Sequence, residues 1–333
     1  CEDIYPAMIR NHAKLNYRRV GQWLEGEAIT PNQNGYPEGT EAQLQLQKEA
    51  ATRLNKFRRE HGTLTFGSVE TVPLVAGQEA KGTGLLQTNP ARDIIESFMV
   101  TANVAMARFL RAKGCLAIRR VVREPKRWDR ICAIAAESGE RLPERPDSRA
   151  LGDFLTTRKE RDPLHFPELS LAILKCLGPG EYVVEDPGAE QEGHFGLAVN
   201  DYTHSTAPNR RYADLVTQRI LKAAMANQPP PLTKEELTAL AAHCTERDSA
   251  ARRIERLMKK IIAANGLRSR IGETFVGIIT GVSPKGTFIR LLDLPAEGRI
   301  INGEAGLDLG EKVQVKLKGV DVDRGFIDFE RAE

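Results

Sequence analysis

The spacing of apolar residues changes near Arg270, and this change constrains the fold more than any other feature of the chain. Before this point, apolar residues recur at helical spacing over long segments. After it, short runs alternate apolar and polar residues between glycine-bearing turns, which predicts a small all-β barrel. A single core seldom extends beyond about 250 to 300 residues, so a 333-residue chain is expected to divide. We therefore predict two domains, residues 1–270 and 271–333.

The first region carries clear signals for helices. An amphipathic segment from Thr40 ends at Gly62, and a second one, Ala91–Lys113, places its apolar side chains on one face and stops at Gly114. Shorter helices are predicted over residues 17–25, 126–137, 149–161, 168–176 and 208–227.

A long helix closes this region. Thr233 and Glu236 have the spacing of a capping box, and the helix they begin is predicted to continue to about Leu267. Strand-like runs at Ile4–Arg10 and Thr63–Val75 add a sheet to these helices. The expected fold class is therefore α/β, a mixed sheet surrounded by helices, followed by the barrel.

The composition excludes several classes of protein. With 41% hydrophobic and 28% charged residues, the chain can form a sizeable core and is not disordered. No apolar run approaches the roughly 18 residues that a membrane-spanning helix requires. The five cysteines are widely spaced without a CxxC pair, which indicates neither a disulfide framework nor a zinc site. We expect a cytoplasmic protein with no membrane partner.

The net charge of +3 is too small to indicate nucleic-acid binding by itself. Its distribution is more informative, because the segment from Ala241 to Arg270 holds eight basic and three acidic residues. A polyanion could bind this stripe, and a solvated helix face is the alternative.

The most informative segment is His194–Ala223. Pro208 suits the first position of a helix, so we predict that a helix begins there with Arg210 and Arg211 in its first turn. Cations at this end of a helix cost about 0.3 to 1 kcal/mol each. Asp214 could neutralise either arginine through an ion pair. A bound phosphate would instead compensate the charge of both arginines, and both would then be substrate ligands. The residues alone leave both interpretations open.

The run YTHSTAPNRRY, Tyr202–Tyr212, with HFGLAV just before it, resembles the signature of the RNB catalytic domain of the ribonuclease II and ribonuclease R family. Four further segments resemble that family in the same order: IRNHAKLNY (Ile9–Tyr17), HGTLTF (His61–Phe66), IIESFMVTAN (Ile94–Asn103) and TERD (Thr245–Asp248). The barrel is similar to the OB-type RNA-binding domain that follows the RNB domain in these enzymes. The resemblance covers nearly the whole chain and is weak over residues 106–182.

The resemblance implies an activity and a partner. Members of the family draw single-stranded RNA into a narrow channel and hydrolyse it from the 3′ end to 5′-mononucleotides. No DNA partner is expected. The alternative is a non-catalytic RNA-binding or regulatory protein on the same scaffold.

The resemblance also implies roles for individual residues. Arg210 would grip the scissile phosphate and offset the charge that develops during attack. Tyr17 would pack at the terminal nucleotide and set where cutting stops. Phe66 matches an aromatic residue that stacks on bases near the 3′ end, while Glu96 and Glu246 match acids that hydrogen-bond the terminal nucleotides. Each has a purely structural alternative, and the shared order of five motifs favours the functional one.

The sequence departs from the family at the metal site. These enzymes hold Mg²⁺ with aspartates spaced close to DxxxxxDD, and hydrolysis depends on the cation. The 333 residues contain no such cluster, and the nearest pair, Asp321 and Asp323, has the wrong spacing. Smaller departures are Ala207 and Asn209, where the family more often has a serine and a branched apolar residue.

Two explanations remain for the missing cluster. The aspartates could precede Cys1 in an N-terminal companion segment of the same protein, or the chain could lack the metal-binding half and act as an RNA binder. We favour the first, because a domain that lacks its N-terminal part would expose sheet edges and apolar surface.

The barrel sequence contains four phenylalanines that could fill the core or stack on bases: Phe275, Phe288, Phe326 and Phe329. Phe288 follows a turn and is the expected stacking residue, with Lys285 and Arg290 available to phosphates. At least two of the four are expected to fill the barrel.

Overall fold

The structure, a computed structural model, describes residues 4–31, 35–67, 71–76, 79–85, 89–188, 193–284, 286–308 and 310–332, with backbone alone for 71–76 and 79–85. Its contacts divide the chain into two compact units. The first unit contains residues 1–65, 88–157 and 173–246; the second contains residues 66–87, 158–172 and 247–333. The division at Arg270 stays a prediction about sequence domains.

The helices follow the predicted spacing closely. Their bounds are α1 (Tyr17–Leu24), α2 (Thr40–Glu60), α3 (Pro90–Ala112), α4 (Trp128–Glu137), α5 (Ser148–Arg161), α6 (Phe166–Leu177), α7 (Tyr212–Met225) and α8 (Lys234–Leu267). In the described residues, no helix combines the length and apolar character needed to cross a membrane.

Side-chain caps explain where two of these helices begin. The backbone N–H of Glu236 donates to Thr233 Oγ1 at 3.2 Å, and the N–H of Thr233 donates to the Glu236 carboxylate at 2.8 Å, so the predicted capping box is confirmed. At the start of α3, Asn89 Oδ1 accepts the N–H of Arg92 at 3.1 Å.

Two predictions about the backbone are wrong. Helix α7 begins at Tyr212 rather than Pro208, because the N–H groups of Arg210 and Arg211 close a turn on Ala207 O and Arg211 then adopts an extended conformation. Residues Ile4–Arg10 form no strand and are mostly exposed, and no described strand pairs with them.

Outside the barrel, the described strands form two antiparallel pairs: β1 (Thr71–Ala76) with β2 (Glu79–Leu85), and β3 (Ala117–Val121) with β4 (Glu181–Glu185). Of the strand-like run Thr63–Val75, residues 71–75 lie in β1 and residues 63–67 lie outside the strands, while residues 68–70 are not among the described residues. In the first unit, β3 packs with α3, α7 and α8 around a core that includes Leu110, Ile118, Val216 and Leu237. The mixed α/β class is confirmed.

The C-terminal strands close into a barrel, as predicted. Their bounds are β5 (Thr274–Ser283), β6 (Gly286–Leu291), β7 (Glu297–Asn302), β8 (Lys312–Asp321) and β9 (Phe326–Arg331), paired in the order β5-β6-β7-β9-β8. Five strands in this closed arrangement are the OB-type barrel. Within the second unit, Ala264 and Leu267 at the end of α8 join its core.

The four phenylalanines divide as expected between core and surface. Phe275 and Phe329 are buried, with their rings edge to face and centroids 6.4 Å apart. Phe288 is half-buried, and Phe326 is 55% exposed. The exposed rings that a base could reach are therefore those of Phe288 and Phe326.

The contrast within β9 gives a test of the barrel. Phe329→Ala should lower the free energy of unfolding by about 3 to 5 kcal/mol, because it empties a fully buried site. Phe326→Ala removes an exposed ring and should change it by about 0.5 kcal/mol or less. Urea denaturation followed by circular dichroism measures both. Equal effects would contradict the assignment of Phe329 to the core.

Candidate functional site

The segment Tyr202–Arg211 is anchored on β3 by its own backbone and by a buried hydroxyl. Tyr202 O accepts the N–H of Arg120 at 2.9 Å. Thr203 Oγ1 donates to Ile118 O at 2.6 Å. Tyr202 and Thr203 are both buried, so the first half of the segment is fixed against the core of the first unit.

A buried asparagine on α3 fixes the middle of the segment. Asn103 Oδ1 accepts both the N–H and the hydroxyl of Ser205 at 2.9 Å, and its Nδ2 donates to the Tyr202 hydroxyl at 3.3 Å. Gln218 on α7 donates to Ser205 O at 2.9 Å. Sequence reasoning did not single out Asn103, although it ends the IIESFMVTAN segment; a polar residue on an apolar helix face was the available signal.

The end of the segment is held by a buried carboxylate. Asp214, in the first turn of α7, is fully buried, and its Oδ1 accepts the N–H of Ala207 and the Arg211 guanidinium, each at 2.8 Å. An acid is favourable at this end of a helix. The carboxylate that could have neutralised either arginine therefore neutralises Arg211, whose side chain is 22% exposed. This geometry does not support Arg211 as a substrate ligand.

Arg210 has the opposite environment. It lies in the exposed turn just before α7, and the structure gives its guanidinium no hydrogen-bond or ion-pair partner within the described residues. A free guanidinium can form two parallel hydrogen bonds to a phosphate. The turn therefore presents one arginine to solvent and uses its neighbour to hold the backbone in place.

The N-terminal half of α3 carries Arg92, which contacts Tyr17, and Glu96. Tyr17 begins α1 behind the N-cap Asn16, its ring is 47% exposed, and the guanidinium of Arg92 lies over it at 5.6 Å. Glu96 is exposed one turn further along α3. Glu96 and Asn103 are seven residues apart, or about two helical turns, so they lie on the same side of α3 roughly 10 Å apart along its axis.

Arg58 on α2 contacts α3, and sequence reasoning missed it. Its guanidinium donates to Ser97 Oγ at 3.4 Å, and both Glu96 and Tyr202 influence its charge. Burial lowers the pKa of Arg58, while Glu96 acts in the opposite direction. Arg58 thus electrostatically links the helix that carries Glu96 to the segment that carries Arg210.

Two other predicted site residues, Glu246 and Phe66, belong to different units. Glu246 is exposed on α8, and its neighbour Thr245 accepts the N–H of Tyr182 at 2.8 Å, which ties this helix to β4. Phe66 is half-buried and belongs to the second unit.

In the barrel, the predicted phosphate ligands divide. Lys285 lies outside the described residues. Arg290 is paired with Glu168 of α6 in the same unit, and both side chains are mostly buried. Arg290 is thus ion-paired within the second unit, and its availability to phosphates stays a prediction.

The acids of the described residues do not fit a Mg²⁺ site. No group of three or more His, Cys, Asp or Glu side chains arranged to hold a metal occurs among them. Asp201 is bound to Arg111 at 3.1 Å and to Arg119 at 3.0 Å, and Glu185 is bound to the same Arg119. Mg²⁺ requires near-octahedral oxygen ligands, and these carboxylates are already neutralised by arginines.

His194 precedes the segment and is held neutral. Its Nδ1 accepts the N–H of Leu197 at 3.1 Å, and burial lowers its pKa from 6.5 to about 4. The ring borders a cavity of about 520 Å³ that Arg123 and Lys126 also line.

Asp214→Ala should lower the free energy of unfolding by about 3 kcal/mol, because it leaves Arg211 and the Ala207 N–H without their buried acceptor. Glu41→Ala, in the first turn of α2, is the exposed control and should have a small effect. Chemical denaturation measures both. A loss for Asp214→Ala as small as that of the control would contradict the anchoring role of this carboxylate.

His194 gives a pH dependence with a definite sign. Because its pKa is lower in the folded protein, the unfolded state binds more protons between pH 6.5 and about 4, so stability falls as the pH falls through this range, by at most about 3 kcal/mol. His194→Asn keeps an acceptor for the Leu197 N–H and does not titrate. The difference in unfolding free energy between the wild-type protein and His194→Asn should change across this pH range. If the two plots of unfolding free energy against pH run parallel, His194 is not buried in its neutral form.

Comparisons with known proteins identify the regions that carry this site. Residues 2–227 match the family profile described as RNB domain, and residues 273–332 match the RNase II-type exonuclease C-terminal S1 domain. Ribonuclease R of Escherichia coli is 27% identical to the chain, over 98% of the chain and 43% of the relative. The chain thus spans less than half the length of that protein.

Solved structures agree on the fold. RNase R of Mycoplasma genitalium in complex with ribose methylated single-stranded RNA is 20% identical, with a TM-score of 0.83 over 95% of this chain and 53% of that one. Yeast Ssd1, described as a pseudonuclease, is 17% identical, with a TM-score of 0.59 over 88% of this chain and 36% of that one. Since the RNB profile matches more than half of the residues, the chain belongs to the RNB domain family and carries the S1 domain of RNase II-type exonucleases in its C-terminal region.

Proposed function

We propose that this chain forms the RNA-binding part of a metal-dependent 3′-to-5′ exoribonuclease that hydrolyses single-stranded RNA to 5′-mononucleotides. The observation that carries the proposal is the exposed guanidinium of Arg210, which has no partner among the residues that the structure describes, on a turn that Asp214 and Asn103 hold in place. A fixed cation at the reacting phosphate stabilises developing negative charge without a reorganisation cost.

Arg210 grips the scissile phosphate in this proposal. The turn around it is held by hydrogen bonds from three elements, β3, α3 and α7, so the backbone that carries Arg210 does not need to be ordered when RNA binds. Arg211 acts indirectly, by keeping Asp214 neutralised and the turn closed.

The neighbouring residues receive the end of the strand. Tyr17 offers a half-exposed side chain to the terminal nucleotide. Glu96 lies one turn along α3 from Arg92, which covers the Tyr17 ring, and accepts hydrogen bonds from the hydroxyl groups of that nucleotide. Glu246 on α8 also accepts hydrogen bonds from the terminal nucleotides in this proposal, and Phe66 stacks on bases near the 3′ end. In the barrel, Phe288 and Phe326 offer further stacking surfaces, each worth about 1 to 3 kcal/mol per base.

The proposed metal is Mg²⁺, which in such enzymes activates water and stabilises the leaving oxygen. The described carboxylates do not fit it, so its ligands are assigned to a companion segment of the same protein. The coverage of less than half of ribonuclease R supports this assignment. The described cysteines carry no disulfide, which supports a cytoplasmic location.

A non-catalytic RNA-binding protein is the second candidate. Two observations favour it: the described residues hold no metal-binding cluster, and yeast Ssd1, described as a pseudonuclease, shares the fold. Binding of RNA without hydrolysis would support this candidate.

The test uses the purified protein that contains this chain, with every segment that accompanies it, and 5′-labelled oligo(A) with and without Mg²⁺. Stepwise shortening with release of mononucleotides is expected, and binding without shortening contradicts the enzyme proposal. Oligo(dA) should not be shortened.

Arg210→Ala should lower turnover by about 10²- to 10³-fold, since it removes charge stabilisation at the reacting centre, while the Kd for RNA rises by a few-fold, because other contacts remain. Arg53→Ala, an exposed arginine on α2 paired with Glu49, is the matched control and should leave both unchanged. Equal losses of turnover and affinity in Arg210→Ala would contradict the assigned role.

A further inference from the structure

The ring of Tyr17 is covered on one face by a guanidinium. Arg92 lies over the ring with its Cζ 5.6 Å from the centroid, while 47% of the residue remains exposed to solvent. A guanidinium over an aromatic face is attracted by the ring quadrupole, by about 0.5 to 1 kcal/mol at an exposed site. Of the two large faces that a base could stack on, one is therefore already occupied.

The packing of α1 on α3 creates this contact. A Cβ added at Gly21 would lie 2.8 Å from Asn89 Cγ, so only glycine lets α1 come this close to the cap of α3. Tyr17 lies one turn before Gly21, and Arg92 lies three residues after Asn89. The close approach therefore places the ring and the guanidinium opposite each other.

The surrounding core makes the contact rigid. Val20 and Leu24 of α1 are buried with Ala91 and Ile94 of α3 in one apolar cluster. Asn16 caps α1 by accepting the N–H of Arg18 at 2.9 Å, which fixes the backbone beside Tyr17. The two helices that carry the ring and the guanidinium are thus fixed before any ligand arrives.

We propose that Arg92 is a positioning residue: it holds one face of the Tyr17 ring so that the terminal base of the RNA 3′ end stacks on the opposite face. The inference rests on the proposed function, and Arg92 lies outside the five segments that resemble the family. Glu96, the acid proposed to bind the terminal nucleotide, is exposed one turn further along α3. A planar guanidinium suits this task better than the point charge of lysine.

The experiment uses oligo(A) with 2-aminopurine, whose fluorescence is quenched by stacking, at the 3′ terminus or in the middle of the strand, in EDTA to prevent hydrolysis. Wild-type protein should quench the terminal probe at saturation. Arg92→Met should lose more than half of that terminal quenching, with the Kd changed by less than threefold and the internal probe unaffected. Arg92→Lys, which keeps a cation, should recover part of the loss.

The matched control is Arg53→Met, which changes an exposed, paired arginine on α2 and should behave as wild type. Tyr17→Leu should remove the terminal quenching, and adding Arg92→Met to it should have no further effect, because Arg92 acts through the ring. Thermal melts of all variants show whether the fold is kept.

The outcomes separate the two proposals. Terminal quenching that is unchanged in Arg92→Met, or an effect of Arg92→Met that adds fully to that of Tyr17→Leu, overturns the role of Arg92 and leaves the proposed function in place. Wild-type protein that does not bind the oligonucleotide contradicts the proposed function itself. Loss in Arg92→Met without any recovery in Arg92→Lys also overturns the inference, because the attraction of a cation to the ring face, on which the inference is built, would then not account for the loss.

Discussion

A single buried carboxylate determines how the site is presented. Asp214 has no exposure to water, and its Oδ1 binds both the Ala207 N–H and the Arg211 guanidinium. A buried charge of this kind is tolerated only when it is paired and hydrogen-bonded. Arg211 supplies the pairing, whereas the adjacent Arg210 is exposed and has no ion-pair partner among the described residues. Two neighbouring arginines thus have different environments, and the proposed function assigns only Arg210 to the substrate.

Helix α3 connects this turn to the place where the strand is proposed to end. Its N-terminal part holds Tyr17 through Arg92, and two turns beyond Glu96 its Asn103 fixes Ser205 in the motif segment. A rigid helix is a more exact spacer than a loop, since its rise per residue is fixed at about 1.5 Å. Helix α3 therefore carries contacts to both Tyr17 and the motif segment.

Local signals in the sequence predicted much of the fold, and long-range contacts account for what they missed. Caps and apolar spacing gave the bounds of α2, α3 and α8 closely, and alternation with turns gave the barrel. The predicted start of α7 was wrong, because Pro208 favours a helix locally whereas the side chain of Asp214, six residues later, holds the backbone in a turn. The pairing of Arg290 with Glu168 joins residues 122 positions apart and has no local signal. The argument from the helix end applied to Arg210 and Arg211 alike, and the family resemblance assigned the scissile phosphate to Arg210. The geometry of Asp214 adds that Arg211 is ion-paired within the protein.

The central claim, that Arg210 is free to meet a phosphate whereas Arg211 is bound within the protein, can be tested by arginine footprinting. The protein is treated with phenylglyoxal, which modifies accessible guanidinium groups, with and without oligo(A), and each site is quantified by mass spectrometry of peptides. The account predicts rapid modification of Arg210 in the free protein, protection of Arg210 by RNA, and slow modification of Arg211 in both states. Rapid modification of Arg211 that RNA suppresses, with Arg210 indifferent to RNA, would contradict it.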